Sequence, residues 1–443
     1  MNTMTVQGIK REGKRLTYSY TVSGEWKRYF QPGEPMWVEY DRPVDDVPES
    51  IAVLPLSGNV IVLASLMDAV IHVDEIDQDF YDSVPEFING FITLFPDHVH
   101  FKRDGLISAK KLVSNPLQPD AQEENLLFFS GGVDATSSLI THLEEKPALV
   151  TIWGADIPWN QESAWKQAIR WNQEAADRYG LKLITIRSNF RRSLHDDNVN
   201  AYAMELVQQW WWLVFHHGVA MMCLAAPIAR GRRQKLYLSG TYSSKDSKDW
   251  GSYILASDPL IDNHVRFCGC QVVHDGYEYS RLDKVERICR FGETQQVKPF
   301  LRVCYHSDTG RNCGHCAKCT HAILLITLAG GKPEEYGFDY DPEELPRNFA
   351  AGLQEMAREE RYGFLSLYTY TQQAYRQKYK PEEVPPAMRV FYETDLEKIA
   401  DFLCVPNNEL IALQESIRAK QQNVSLLRKA ARAAKRRLKA LLH

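Results

Sequence analysis

At its one conspicuous glycine turn, this chain lacks the two commonest nucleotide signatures. There is no G-x-x-x-x-G-K-[ST] there and no G-x-G-x-x-G. The first fifteen residues, MNTMTVQGIKREGKR, contain no apolar stretch of the kind a secretory signal needs, so the expected compartment is the cytoplasm. The most apolar segment, 203–229, carries Glu205, two Gln and two His, which argues against a transmembrane span and for a buried core helix. Acid and base nearly balance, at a formal net charge of −5, so composition gives no global reason to expect nucleic acid. Nine cysteines in 443 residues are too few for a disulfide framework, and four of them cluster at metal spacing, which suits a reducing compartment. What remains is a globular composition, 44% apolar and 25% charged, at a length that points to two or three domains.

The turn itself lies in 126–139, LLFFSGGVDATSSL. Leu126 to Phe129 reads as a short buried strand, Ser130-Gly131-Gly132-Val133-Asp134 as a tight turn, and Ala135 onward as a helix whose first turn holds Thr136, Ser137 and Ser138. A strand feeding a glycine turn and a helix N-terminus is an anion site, because the first helical N–H groups have no intrahelical acceptor and the helix dipole favours negative charge. Gly131 and Gly132 let backbone approach a phosphate, and the hydroxyls of Ser130 and Thr136 can donate to its oxygens.

Upstream, 1–115 reads as an α+β accessory domain. Short β-rich runs at Leu16–Val22, Met36–Tyr40, Ile51–Leu54 and Val60–Ala64 are separated by turn signals, and Phe80–Phe95 has helical spacing. Residues 112–125 are polar and proline-bearing, a linker. From 126 the rhythm is βαβ, which implies a parallel sheet with ligands at the carboxyl ends of its strands. Its next strands are Ala148–Trp153, ending at Gly154 and Asp156; Leu181–Ile186, after a helix closed by Gly180; and Lys235–Ser239, ending at Gly240 and Thr241. Gly218, inside the apolar segment beside His216 and His217, calls for close packing or ligand approach. The polar stretch 241–264, with Asp246, Asp249, Asp258 and His264, is either a substrate-facing lid or a surface loop.

Cys304, Cys313, Cys316 and Cys319 form C-x8-C-x2-C-x2-C, a complete thiolate shell for a structural zinc; an iron–sulfur cluster is a further possibility. Cys268 and Cys270 are candidate exposed thiols. Residues 332–443 turn helical and charged, with amphipathic helices expected at 343–361, 395–403 and 408–420. The end, 425–443, carries seven Lys/Arg and no acid on an amphipathic pattern, suited to nucleic acid, a membrane surface or an acidic partner protein, or simply a tail packed by its leucines.

S-G-G-V-D-A-T resembles the PP-loop, S-G-G-x-D-[S/T], of the N-type ATP pyrophosphatases, with Ala135 in place of the usual hydroxyl residue and Thr136 one position later. Together with the four-cysteine pattern, it resembles the 7-cyano-7-deazaguanine synthase (QueC) family over roughly 126–330. The resemblance implies an α/β, Rossmann-like PP-loop domain at 116–331 with the zinc site at its end. It implies ATP and Mg2+ as cofactors beside Zn2+. Ser130, Gly131, Gly132, Asp134 and Thr136 would hold the phosphates within a binding segment that also includes Phe129, Val133, Ala135 and Ser137. Gly154, Gly240 and the basic Lys284 would lie near the nucleotide, and Ser130 and Asp134 are the catalytic candidates. The implied reaction adenylates a carboxylate, on a small molecule or a protein, for attack by an amine. The extra terminal regions and the absence of a G-Y-P-D-C-R-like stretch depart from that family. The alternatives are a thiolation enzyme relying on Cys268 or Cys270, and a non-catalytic nucleotide sensor or scaffold.

Overall fold

The computed structural model describes residues 1–399, apart from 96–97, 116–123, 232–233, 245–254, 305–308, 359–362 and 397. One sheet of eleven strands runs through it. The strands are β1 (Thr3–Glu12), β2 (Arg15–Ser23), β3 (Trp37–Tyr40), β4 (Val70–Asp77), β5 (Ile107–Val113), β6 (Leu126–Phe128), β7 (Ala148–Trp153), β8 (Leu183–Ser188), β9 (Gln234–Ser239), β10 (Arg266–Phe267) and β11 (Cys270–Asp275). Their order is β10-β11-β9-β6-β7-β8-β3-β2-β1-β4-β5. The run β11-β9-β6-β7-β8 is wholly parallel. Every residue of β7 is buried, as expected for a strand covered on both faces. The fold is therefore α/β with a large parallel core, compatible with a Rossmann-like arrangement.

The accessory region does not stand apart. β3 pairs antiparallel with β8, Val38 opposite Ser188, so the first 113 residues extend the same sheet. Two of the strands expected there are helical. Residues Leu54–Leu66 form a helix in which every residue is buried, with a short helical turn at Glu49–Ala52 before it. A helix apolar all round has no 3.6-residue pattern to read. Pro55 sits in its first turn, where its missing N–H is harmless. Gly58 lies against Cys223, close enough that a Cβ would sit 2.4 Å from its Sγ. What looked like turn punctuation is packing.

The apolar segment 203–229 is likewise not one helix. It divides into the end of helix Asp196–Val207, a π turn at Trp212–His216, and helices Val219–Leu224 and Ala226–Ala229. Gly218 is a packing glycine: a Cβ there would lie 1.9 Å from the Ala256 carbonyl, and Ala256 N–H donates to Leu213 O at 2.8 Å. His216 is a satisfied core residue, bonded to Asn59 at 2.7 Å and held down to about 3 by burial. No helix among the described residues is long and apolar enough to cross a membrane.

In the C-terminal third, helices Leu345–Arg358 and Gly363–Lys378 pack on Ala317–Leu328. The expected helix at 408–420, most of that at 395–403, and the basic stretch 425–443 lie outside the described residues, as do 245–254 of the expected lid, with Asp246 and Asp249, and most of the linker.

Candidate functional site

The chain leaves β6 for β7 and β8 on one side, and β9 then returns to the other side of β6. Strand order thus reverses at β6, and such a switch point opens a crevice at the carboxyl ends of the strands. The glycine turn sits there. Gly131 adopts φ +77°, which a side chain would strain; Gly132, at φ −76° and ψ 175°, is extended and caps the helix Val133–Thr141. Only the first glycine is conformationally required. No side chain caps this helix, so the N–H groups of its first turn are left for something outside it.

The carbonyls behind the turn are all accounted for. Phe129 O accepts from Thr151 Oγ1 at 2.8 Å and Asn172 Nδ2 at 3.1 Å. Ser130 O accepts from Arg302 Nε at 3.1 Å, and Gly131 O from Arg302 N–H at 2.8 Å. The turn is therefore held from the rear. Ser130 Oγ accepts a 3.3 Å bond from Gly132 N–H, and Ser137 Oγ accepts one from Arg287. Thr136 Oγ1 is buried with no hydrogen-bond partner among the described residues; so are Ser239 Oγ, at the end of β9, and Arg281 Nε. A buried orphan of this kind costs about 1–3 kcal/mol unless a ligand or water meets it.

Three expected site residues meet. Asp134 accepts from Arg281 Nη2 at 2.8 Å and Lys284 Nζ at 3.3 Å, while Lys284 Nζ donates to Gly240 O at 2.5 Å. Both cations come from the helix Arg281–Gln295, started by a capping box between Ser280 and Asp283. Lys284 is only 2% exposed. Val133 and Ala135 are buried on opposite sides of the loop helix, Val133 towards the C-terminal core and Ala135 towards the sheet. Ala135 is therefore not placed to present a hydroxyl even if it had one.

Gly154 stands elsewhere, at the end of β7. At φ +103°, its Cβ would lie 2.0 Å from Ser188 O, so close contact with β8 explains this glycine without a ligand. Just beyond it is Asp156, near enough to His217 and Lys318 to act on their charge. Lys318 is pushed down to about 7 by burial and then by Arg281, with Asp156 and Asp134 pulling the other way. Burial pulls the His217 imidazole down against the same Asp156.

A second polar cluster fixes the far end of the loop helix. His142 bonds Asp275 at 2.8 Å through Nε2 and Glu145 at 2.9 Å through Nδ1, and stacks on Tyr237 at 3.9 Å. Ser138 Oγ donates to Asp275, and Tyr237 Oη to Glu145. Burial alone would lower the His142 pKa, but its two carboxylate hydrogen bonds outweigh that and raise it; the same pairing overcomes burial to lower that of Asp275.

The four cysteines converge. Cys304 and Cys316 sulfurs are 3.9 Å apart, Cys313 and Cys319 sulfurs 3.8 Å, and all four lie within 4.8 Å of one another. A tetrahedron of about 2.3 Å zinc–sulfur bonds sets its corners about 3.8 Å apart. This group can hold a metal ion such as zinc. Gly314, at φ +77°, makes the tight turn between two of the ligands. Cys268 and Cys270 are each 1% exposed, not surface thiols, and burial pushes both thiols up.

Reading the sequence missed Arg281, Arg302, His142 and Asp275. Their partners are more than 130 residues away along the chain, so no local spacing marks them. Family models, curated proteins and solved structures offer no match to this chain.

Two outcomes are expected. His142, raised in the fold, adds stability that is complete below its ordinary pKa of about 6.5 and disappears as pH rises through the folded value. Asp275, lowered, adds stability that disappears only in acid. Urea midpoints should therefore fall as pH rises above about 6.5, and His142→Gln should flatten that slope; an unchanged slope in the variant contradicts the pairing. For the cysteines, the purified protein should carry one equivalent of zinc or added cobalt. Cys316→Ser should lose it and melt on the order of 10 °C lower; a metal-free protein of full stability contradicts the assignment.

Proposed function

We propose that this chain is an ATP-dependent ligase or synthase of the PP-loop class, similar to the 7-cyano-7-deazaguanine synthases. It adenylates a carboxylate, releasing pyrophosphate, and an amine then displaces AMP. The observation that carries this reading is the uncapped turn Ser130–Val133 at the strand-order reversal, with its carbonyls bonded from behind and Arg281 and Lys284 alongside. Such an array of fixed donors stabilises charge that develops on phosphate oxygens without reorganising as it forms.

In this reading the first-turn N–H groups and Thr136 hold the phosphates. Arg281 and Lys284, poised on Asp134, turn to the departing pyrophosphate. Asp134 is the carboxylate of the loop and the residue to hold a magnesium ion, whose charge would offset that of the leaving group. Asp156, His217 and Lys318 share one charged neighbourhood beyond β7 and supply a polar wall for the acid substrate, a 7-deazaguanine carboxylate or a carboxylate on another small molecule or protein. The ion in the cysteine group is zinc in a structural role, since four thiolates leave no open position. A thiolation enzyme would need a reachable cysteine outside that group, and the burial of Cys268 and Cys270 speaks against it.

The test is product analysis with ATP, magnesium, 7-carboxy-7-deazaguanine or other acids, and ammonia. AMP and pyrophosphate should form with a mass-shifted acid. Asp134→Ala should reduce AMP formation at least about a hundredfold with the fold intact. Bound ATP without AMP under any condition would favour a nucleotide sensor, and full activity in Asp134→Ala would remove the site assignment.

A further inference from the structure

The segment that supplies the first cysteine is also the segment that holds the glycine turn. Arg302, two residues before Cys304, closes on Gly131 O with its own N–H and on Ser130 O with Nε. Its Cβ lies 3.7 Å from where a Gly131 Cβ would stand. Asn312, immediately before Cys313, bonds the same segment on both sides of Arg302. It accepts from Val303 N–H at 3.0 Å and donates to Leu301 O at 2.7 Å, and also to Gly337 O at 2.9 Å. Val133, the first residue of the loop helix, packs in one apolar cluster with Leu301, Cys304, Cys316 and Cys319. The turn and the cysteine group thus share one covering segment, braced by Asn312, and one core.

We infer that Arg302 is a positioning residue that transmits the state of the cysteine group to the turn, so that nucleotide binding and metal retention strengthen each other. The inference rests on the nucleotide reading above. The four sulfurs set where Cys304 and Cys313 sit; these set Arg302 and Asn312; Arg302 in turn sets the carbonyls of Ser130 and Gly131, and with them the direction of the N–H groups that follow. Arg302 acts from behind the turn, through carbonyls, and its guanidinium keeps its charge at any working pH. Linkage requires reciprocity: if metal favours nucleotide by some factor, nucleotide favours metal by the same factor.

The experiment uses the full, zinc-loaded chain. Excess chromophoric chelator strips the metal, and the rate is followed with and without saturating α,β-methylene-ATP and magnesium. Nucleotide affinity is measured alongside by calorimetry. In the wild type, nucleotide should slow stripping about fivefold or more. Arg302→Ala should still load one zinc, bind nucleotide about tenfold more weakly, and show no slowing even at saturation. Arg302→Lys, whose ammonium can still donate to the Ser130 carbonyl, should recover most of the protection, which a loss of general stability would not explain. If the wild type binds nucleotide and its stripping rate is unchanged, or if Arg302→Ala is protected as well as the wild type, the inference is overturned and the nucleotide site stands. If the wild type binds no nucleotide, the functional reading fails and the inference fails with it.

Discussion

Before the N–H groups ahead of a glycine turn can face a ligand, the carbonyl oxygens behind it have to be satisfied. In this protein those oxygens belong to Phe129, Ser130 and Gly131, and three parts of the fold meet them, two at Phe129 and one at both Ser130 and Gly131. β7 supplies Thr151, the helix Glu162–Tyr179 supplies Asn172, and the segment leading to the cysteines supplies Arg302. A buried carbonyl left open would cost more than one good hydrogen bond returns. The parallel sheet, the crossover helix and the C-terminal core therefore converge on one short turn. The left-handed conformation of Gly131 is what directs its carbonyl to Arg302.

This convergence explains what was legible in the sequence and what was not. The strand–turn–helix at 126–141 is written locally, in an apolar run, two glycines and a row of small hydroxyl residues, and it forms where expected. The cysteines are legible because thiolate chemistry leaves few other uses for that spacing. Lys284 was legible only by position, and its contacts with Asp134 and Gly240 depend on the packing of a whole helix against another. Arg302 and the His142–Asp275 pair carry no local mark. Their role arises when distant strands become neighbours, as β11 and β9 do beside β6. Leu54–Leu66 was misread for the opposite reason: a fully buried helix erases the periodicity that identifies one, and its Pro and Gly look like breaks.

The N-terminal region is bound into the same architecture. By adding β3 against β8, it removes what would have been an exposed edge of the parallel core. Its buried helix packs across the break at Gly218, and Asn59 reaches His216 and the Phe190–Ser193 turn. The π turn Trp212–His216 thus rests on residues from the first 70. A substitution in that helix is felt at the π turn and at Gly218 through packing, because well-packed interiors transmit displacement.

The central claim is that the turn 130–134 is an anion site formed by backbone. The most direct measurement is a calorimetric titration of magnesium pyrophosphate into the wild type and into Gly132→Val. Gly132 has extended dihedrals open to any residue, and a Cβ there would meet the Ser130 hydroxyl at 3.3 Å and Arg302 O at 3.5 Å, so a branched side chain crowds the turn without straining its backbone. The account predicts saturable 1:1 binding to the wild type and loss of measurable binding to a stably folded Gly132→Val. Equal affinity in the two proteins would contradict it.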